Sequence, residues 1–69
     1  MSPSRIGRTI RRLREARGLT QDALAANARI SQTYLSFLEK GVRRNPSVGV
    51  ARRLAKALGV PITELLGGL

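Results

Sequence analysis

The apolar residues of this chain recur three or four positions apart, with polar and charged residues between them. This spacing collects apolar side chains on one face of an α-helix, and the strict alternation typical of a β-strand is absent from the sequence. Glycine, proline and hydroxyl-bearing residues divide the pattern into five segments. The sequence therefore predicts an all-α fold, a compact bundle of five helices. It also predicts a single domain over residues 1–69, because neither a linker nor a repeat interrupts the pattern.

The first helix is predicted to begin at Ser2 or Ser4 and to end near Arg17. Its apolar face is formed by Ile6, Ile10, Leu13 and Ala16. Pro3 suits the first helical position, and Gly18 suits a left-handed residue just beyond the helix. Six arginines and a single acid, Glu15, lie among the other positions of this segment. We expect them either to be solvated or to contact phosphates.

Residues 20–41 carry the signals of two short helices. Thr20 and Ser31 lie eleven positions apart, and each offers a hydroxyl to the free N–H groups of a first helical turn. The predicted helices span residues 21–28 and 32–40. Their apolar stripes face a common interior, which leaves one face of the helix over residues 32–40 free for recognition.

The turn between these two helices needs a residue with a left-handed backbone. Glycine would be the easy choice, but the turn contains none. Either Arg29 or Asn27 must therefore adopt that conformation. The helix over residues 32–40 is followed by Gly41, a residue that suits a helix end.

Two further helices are predicted after a loop that contains residues 45–47. The fourth spans residues 48–58 and ends at Gly59, and the fifth spans about 61–66. The inward face of the fourth helix is predicted to consist of Val48, Ala51, Leu54, Ala55 and Leu58. The apolar residues at the C-terminal end exceed what five short helices need internally, so we expect a dimer surface there. These residues are Ile62, Leu65, Leu66 and Leu69. The alternative is that they simply close the core.

Thirteen Lys and Arg residues against four Asp and Glu residues give a formal net charge of +9 and an isoelectric point near 11.9. This charge favours a polyanionic partner, first nucleic acid and second an anionic membrane. The sequence shows no long apolar run, lipidation signal or convincing amphipathic membrane helix, so no membrane partner is expected. The arginine-rich N-terminus read alone would suit a transit peptide, but the core needs its apolar positions.

The chain contains no Cys and no His. It therefore has no disulfide framework, none of the usual zinc ligands and no ordinary general base that titrates near neutral pH. Four scattered acids form no catalytic arrangement. We expect neither an enzyme nor a metal or cofactor, and the length leaves no room for a domain that senses a small molecule.

Four motifs, in this order and spacing, resemble the lambdoid phage repressor and Cro type of helix-turn-helix protein. This is the Xre-like family, which includes the controller proteins of restriction-modification systems. The motifs are LTQDALA at residues 19–25, ISQTYLSFLEKG at 30–41, RNPS at 44–47 and LAKALGVP at 54–61. The resemblance covers about residues 5–66. It implies a lambda repressor-like DNA-binding domain of five helices, with the helix-turn-helix unit at about residues 20–41.

The resemblance places the recognition helix, about residues 32–40, in the major groove of double-stranded DNA. The positions that it directs at bases are Gln32, Thr33 and Phe37. The positions that it directs at the DNA backbone are Thr20, Gln21, Tyr34, Ser36, Lys40, Arg43, Arg44 and Asn45. It also implies that Gln21 touches Gln32. The alternative for Phe37 is partial burial, and the alternative for the loop arginines is solvated charge.

Arg14 and Glu39 match a pair that joins the first and third helices in phage repressors. We expect a salt bridge between them that positions the recognition helix, and the alternative is an exposed Glu39. The sequence departs from the family pattern at two positions. Arg29 replaces the usual turn glycine, and Phe37 stands where a polar residue is more common.

Together these features predict a transcriptional regulator that binds double-stranded DNA sequence-specifically, as a homodimer on a two-fold operator. Such a protein would be cytoplasmic and associated with the nucleoid. The alternative is a protein-interaction module, such as an antitoxin or an adaptor, because a fold does not fix a function. The polar face of the third helix and its cationic rim favour DNA, since a protein interface would show a larger apolar patch.

Overall fold

The computed structural model describes residues 4–66, which form five α-helices and no strand. The helices are α1 (Arg5–Ala16), α2 (Gln21–Ala28), α3 (Gln32–Lys40), α4 (Val48–Leu58) and α5 (Ile62–Leu65). The predicted all-α, five-helix architecture is confirmed, and α2, α3 and α4 have the predicted bounds. The predictions for Ser2, Pro3 and Leu69 lie outside the described residues. Within residues 4–66, none of the helices has both the length and the apolar character needed to cross a membrane.

Hydroxyl side chains begin the first four helices. The oxygens of Ser4, Thr20, Ser31 and Ser47 accept hydrogen bonds of 3.0–3.1 Å from the backbone N–H three residues onward. Each bond satisfies one of the N–H groups that a helix leaves free at its start, and such a cap contributes about 1 kcal/mol. Ser4, rather than Ser2, therefore sets the start of α1. The local signals in the sequence define these helix starts well.

The core is made of aliphatic side chains contributed by all five helices. Its fully buried large members are Ile10, Leu24, Leu35, Leu38, Leu54, Leu58 and Leu65. Helix α2 packs chiefly against α4, and α1 packs chiefly against α3. This pairing fixes α3 from behind, through Leu35 and Leu38, and leaves its opposite face uncovered.

The prediction that Val48 faces inward is wrong, because this side chain is 65% exposed. Val48 lies in the first turn of α4, at the margin of the face that Leu54 and Leu58 define. Val50, on the other margin, packs against the core instead. Periodicity identified the buried face of α4 but not its edges.

Gly7 brings α1 unusually close to the C-terminal end of α3. The residue is buried, and a Cβ atom at this position would overlap the carbonyl oxygen of Leu38. It would also lie 3.1 Å from the carbonyl oxygen of Glu39 and 3.1 Å from the Ser4 hydroxyl. No local signal in the sequence marks Gly7, since its role depends on a distant segment of the chain.

Candidate nucleic-acid interface

A three-residue turn connects α2 to α3. Arg29 has a left-handed backbone, with φ 58° and ψ 43°, and it is the only non-glycine residue with a positive φ among those described. The N–H of Ile30 then bonds the carbonyl oxygen of Ala25 at 3.0 Å. Ile30 is half-buried against the core, which holds the turn in place. Of the two residues proposed for the left-handed position, the structure therefore selects Arg29 over Asn27.

The exposed face of α3 carries the three side chains that were predicted to face bases. Gln32 and Thr33 are exposed in the first turn of the helix, and Phe37 is 39% exposed one turn further on. Tyr34 and Ser36 are half-buried at the sides of this face. Because α3 is held by its buried leucines, this face can approach a surface without disturbing the core.

Polar residues and cations precede and follow α3 along the chain. Thr20 is exposed at the start of α2, and Gln21 beside it is half-buried. At the other end, exposed side chains follow one another through the end of α3 and the loop, at Lys40, Arg43, Arg44 and Asn45. The N–H of Arg43 bonds the carbonyl oxygen of Phe37 at 3.1 Å, which folds this loop back over the end of α3. The end of α3 and the loop after it therefore carry three exposed cations.

Arg14 and Glu39 form a bidentate ion pair between α1 and α3. The Nε of Arg14 donates to Oε2 of Glu39 at 2.7 Å, and its Nη2 donates to Oε1 at 3.1 Å. Its Nη1 donates to the carbonyl oxygen of Leu19 at 2.8 Å. The hydrogen bond to Glu39 raises the pKa of Arg14; burial opposes this, and the charges of Glu39 and Glu15 add to it. The predicted contact between these two residues is present, and Glu39 is buried rather than exposed.

A chain of hydrogen bonds runs from this ion pair to the surface. The Nε2 of Gln21 donates to Oε1 of Glu39 at 3.1 Å, and the Nε2 of Gln32 donates to Oε1 of Gln21 at 2.7 Å. The contact between Gln21 and Gln32 matches the expectation drawn from the family. The hydrogen bond between Gln21 and Glu39 was not predicted, since it joins two different helices and no sequence pattern indicates it. We refer to Glu39, Gln21 and Gln32 as the amide relay.

Arg53 supports the turn from behind. Arg53 is exposed and lies outside the inward face predicted for α4, and its Nε donates to the carbonyl oxygen of Ala28, the last residue of α2, at 2.8 Å. This bond satisfies one of the carbonyl groups that a helix leaves free at its end. A basic residue far along the sequence from the helix it caps gives no local signal, which explains why sequence reasoning missed it.

The apolar residues at the C-terminal end divide between the core and the surface. Leu65 is fully buried, so its assignment to a dimer surface is wrong; α5 uses it to close the bundle. Ile62 is half-buried against the core, and Leu66 is 43% exposed. Ile62 and Leu66 line a groove together with Ile6, Val48 and Ala51. The other residues of this groove are Ser4, Arg5, Arg44, Asn45 and Pro46. Leu69 lies outside the described residues.

Helices α2 and α3 are both capped and are joined by a three-residue turn, and α3 has an exposed face with cations at its end and in the loop after it. This arrangement defines a helix-turn-helix protein. The helix-turn-helix family model matches residues 10–65, which is most of the chain. The chain belongs to this Xre-like helix-turn-helix family of transcriptional regulators. The resemblance to phage repressors and restriction-modification controllers is thereby confirmed.

Relatives from several sources share this similarity. The chain is 49% identical over 61 residues to an uncharacterized HTH-type transcriptional regulator, y4dJ of Sinorhizobium fredii, covering 88% of this chain and 78% of that protein. It is 37% identical to the immunity repressor protein of Bacillus phage phi105, covering 90% of this chain and 42% of that protein. The chain spans less than half the length of several curated relatives that it matches.

The fold is similar to a solved structure of the same class. The restriction-modification controller protein C.AhdI from Aeromonas hydrophila superposes with a TM-score of 0.83 at 36% identity, covering 88% of this chain and 91% of that one. These three proteins are named as a transcriptional regulator, an immunity repressor and a restriction-modification controller.

Proposed function

We propose that the chain binds double-stranded DNA sequence-specifically as a transcriptional regulator, with α3 in the major groove. The observation that carries this proposal is the exposed face of α3, where Gln32, Thr33 and Phe37 project from a helix whose other side is locked into the core. A protein of this kind would act in the cytoplasm at the nucleoid. The proposal assigns no catalytic role to any residue.

Three side chains would read bases. The Gln32 amide offers both an acceptor and a donor, which match the N6 amino group and N7 of adenine. Phe37 offers only apolar contact, for which the thymine methyl group is the natural partner. Thr33 lies beside Gln32 in the first turn of α3, where both side chains are exposed. Direct contacts of this kind would give the domain its sequence preference.

The residues around α3 would hold the DNA backbone. Lys40, Arg43, Arg44 and Asn45 are exposed at the end of α3 and in the loop after it, and Thr20, Gln21, Tyr34 and Ser36 belong to the starts and sides of α2 and α3. Phosphate contacts fix the position of a protein on DNA without reading sequence. The net charge of +9 supports this, because each neutralised phosphate releases counterions.

A homodimer on a two-fold operator would double the small number of base contacts that one short helix makes. Two-fold dimers of this class bind half-sites about 34 Å apart, one helical turn of DNA. The groove bordered by Ile6, Val48, Ile62 and Leu66 supports a dimer surface at this end of the bundle. Leu66 and Val48 expose apolar surface there that the core does not cover.

Selection from a randomised duplex pool, followed by titration of the selected duplex at two salt concentrations, tests the proposal. The Q32A variant should relax selection at one position of each half-site and cost roughly 1 to 3 kcal/mol of binding free energy. The R43A variant should weaken binding to all sequences and reduce the slope of log affinity against log salt by about 0.9. Failure to enrich any sequence would reject the specific regulator and favour the protein-interaction module.

A further inference from the structure

The amide relay connects a buried charge to the residue proposed to read a base. Glu39 retains 4% of its surface, whereas Gln32 is exposed. Two hydrogen bonds and one intervening side chain, Gln21, separate them. We propose that Glu39, which lies too deep to touch DNA, is a positioning residue that determines the base preference of Gln32. This inference rests on the proposed function.

The direction of the relay follows from the chemistry of its inner end. A carboxylate can only accept hydrogen bonds, so Gln21 must present its amino group to Glu39. The carbonyl oxygen of Gln21 then faces the other way, and it accepts from the amino group of Gln32 at 2.7 Å. The bidentate pairing with Arg14 holds both carboxylate oxygens of Glu39 in place. The fixed Glu39 carboxylate therefore orients the side-chain amides of Gln21 and Gln32. Without it, each amide could rotate by about 180° and exchange its oxygen and nitrogen positions.

The orientation of Gln32 determines which hydrogen-bonding groups remain for DNA. With one N–H committed to Gln21, Gln32 retains its carbonyl oxygen and its second N–H. This acceptor and donor match the N6 amino group and N7 of adenine. If the relay were reversed, the carbonyl oxygen of Gln32 would be committed to Gln21 and both N–H groups would face outward. Two donors match O6 and N7 of guanine instead.

Two substitutions release this constraint in different ways. Glu39→Gln replaces a group that only accepts with an amide that can also donate, so the reversed relay becomes available while Arg14 keeps one acceptor. Gln21→Ala removes the connecting side chain and leaves the Arg14 and Glu39 pair intact. If Glu39→Gln does not fold, an unchanged base preference in Gln21→Ala still overturns the proposal, because Gln21 connects Glu39 to Gln32.

The experiment measures the ratio of adenine to guanine selected from a randomised duplex pool at the position that Gln32→Ala relaxes. We expect Gln21→Ala and Glu39→Gln each to lower this ratio at least about fivefold, the lower limit for one bidentate contact. Selection at the other positions should keep its pattern. Lys40→Ala is the control: it should lower affinity for every sequence and leave the ratio unchanged.

The DNA-free protein provides a second readout. The side-chain amide signals of Gln32 in nuclear magnetic resonance spectra should shift in Glu39→Gln, because Gln21 connects the two side chains by hydrogen bonds. Unshifted signals would overturn the relay itself. An unchanged ratio in Gln21→Ala, with affinity lowered for all sequences, would also overturn the inference and leave Gln21 as a phosphate contact only. If the unsubstituted protein enriches no sequence, the proposed function itself fails. If it enriches a sequence but the ratio is unchanged in the variants, only the inference about Glu39 fails.

Discussion

The Arg14 guanidinium on α1 donates two hydrogen bonds, of 2.7 and 3.1 Å, to the Glu39 carboxylate on α3. These side chains retain 12% and 3% of their surface. A second ion pair, between Arg11 and Glu15, has a single contact of 3.3 Å and side chains that are 63% and 55% exposed. Two arginines of α1 thus pair with carboxylates in two different environments, which allows a matched comparison.

Replacing Arg14 with Ala should lower the free energy of unfolding by about 3 kcal/mol, because the variant leaves a buried carboxylate without its partner. Replacing Arg11 with Ala should change it by less than about 1 kcal/mol, since solvent screens an exposed pair. Chemical denaturation followed by circular dichroism measures both variants. Equal losses would show that the buried pair contributes no more to stability than the surface pair.

Gly7 should tolerate no side chain. A Cβ atom there would overlap the carbonyl oxygen of Leu38, so Gly7→Ala must push α1 away from α3. We expect a loss of about 1 to 3 kcal/mol in the free energy of unfolding. In Gly49→Ala, where the nearest atom is a flexible Arg53 nitrogen at 3.6 Å, we expect a gain of up to about 1 kcal/mol. A neutral Gly7→Ala would show that the two helices separate without cost.

Features encoded within a few neighbouring residues could be predicted from the sequence. Thr20, Ser31 and Ser47 cap their helices, and Gly41 and Gly59 end theirs, because capping depends on the identity of one residue and its near neighbours. The bounds of α2, α3 and α4 followed directly. The resemblance to a family then supplied what local signals lack, including the pairing of Arg14 with Glu39.

Features that depend on distant parts of the chain were missed or wrong. Gly7 matters only because α3 passes over it, and Arg53 caps a helix 25 positions earlier in the sequence. Leu65 was assigned to a dimer surface because a sequence does not show how much core volume a helix bundle must fill. Val48 was placed inside because periodicity gives the direction of a side chain, not the extent of the core. Each of these errors concerns packing rather than secondary structure.

Arg29 has a left-handed backbone conformation, which is unfavourable for any residue with a side chain. Arg29→Gly should therefore raise the free energy of unfolding by about 0.5 kcal/mol, after allowance for the greater freedom of glycine in the unfolded chain. Arg29→Ala keeps the unfavourable conformation and should give no gain. Thermal and chemical unfolding of both variants measures the difference. A less stable Arg29→Gly variant would mean that the arginine side chain itself stabilises the turn.

The proposed dimer surface can be tested at Leu66, which is 43% exposed beside the groove. Leu66→Glu should introduce a charge that a second copy would have to bury, and sedimentation should then show a monomer that retains its helical circular dichroism. Val42→Glu is a matched control, because Val42 is 60% exposed outside the groove and the substitution adds the same charge. It should leave the sedimentation of the protein unchanged. If Leu66→Glu sediments like the unsubstituted protein, the groove is not the dimer surface.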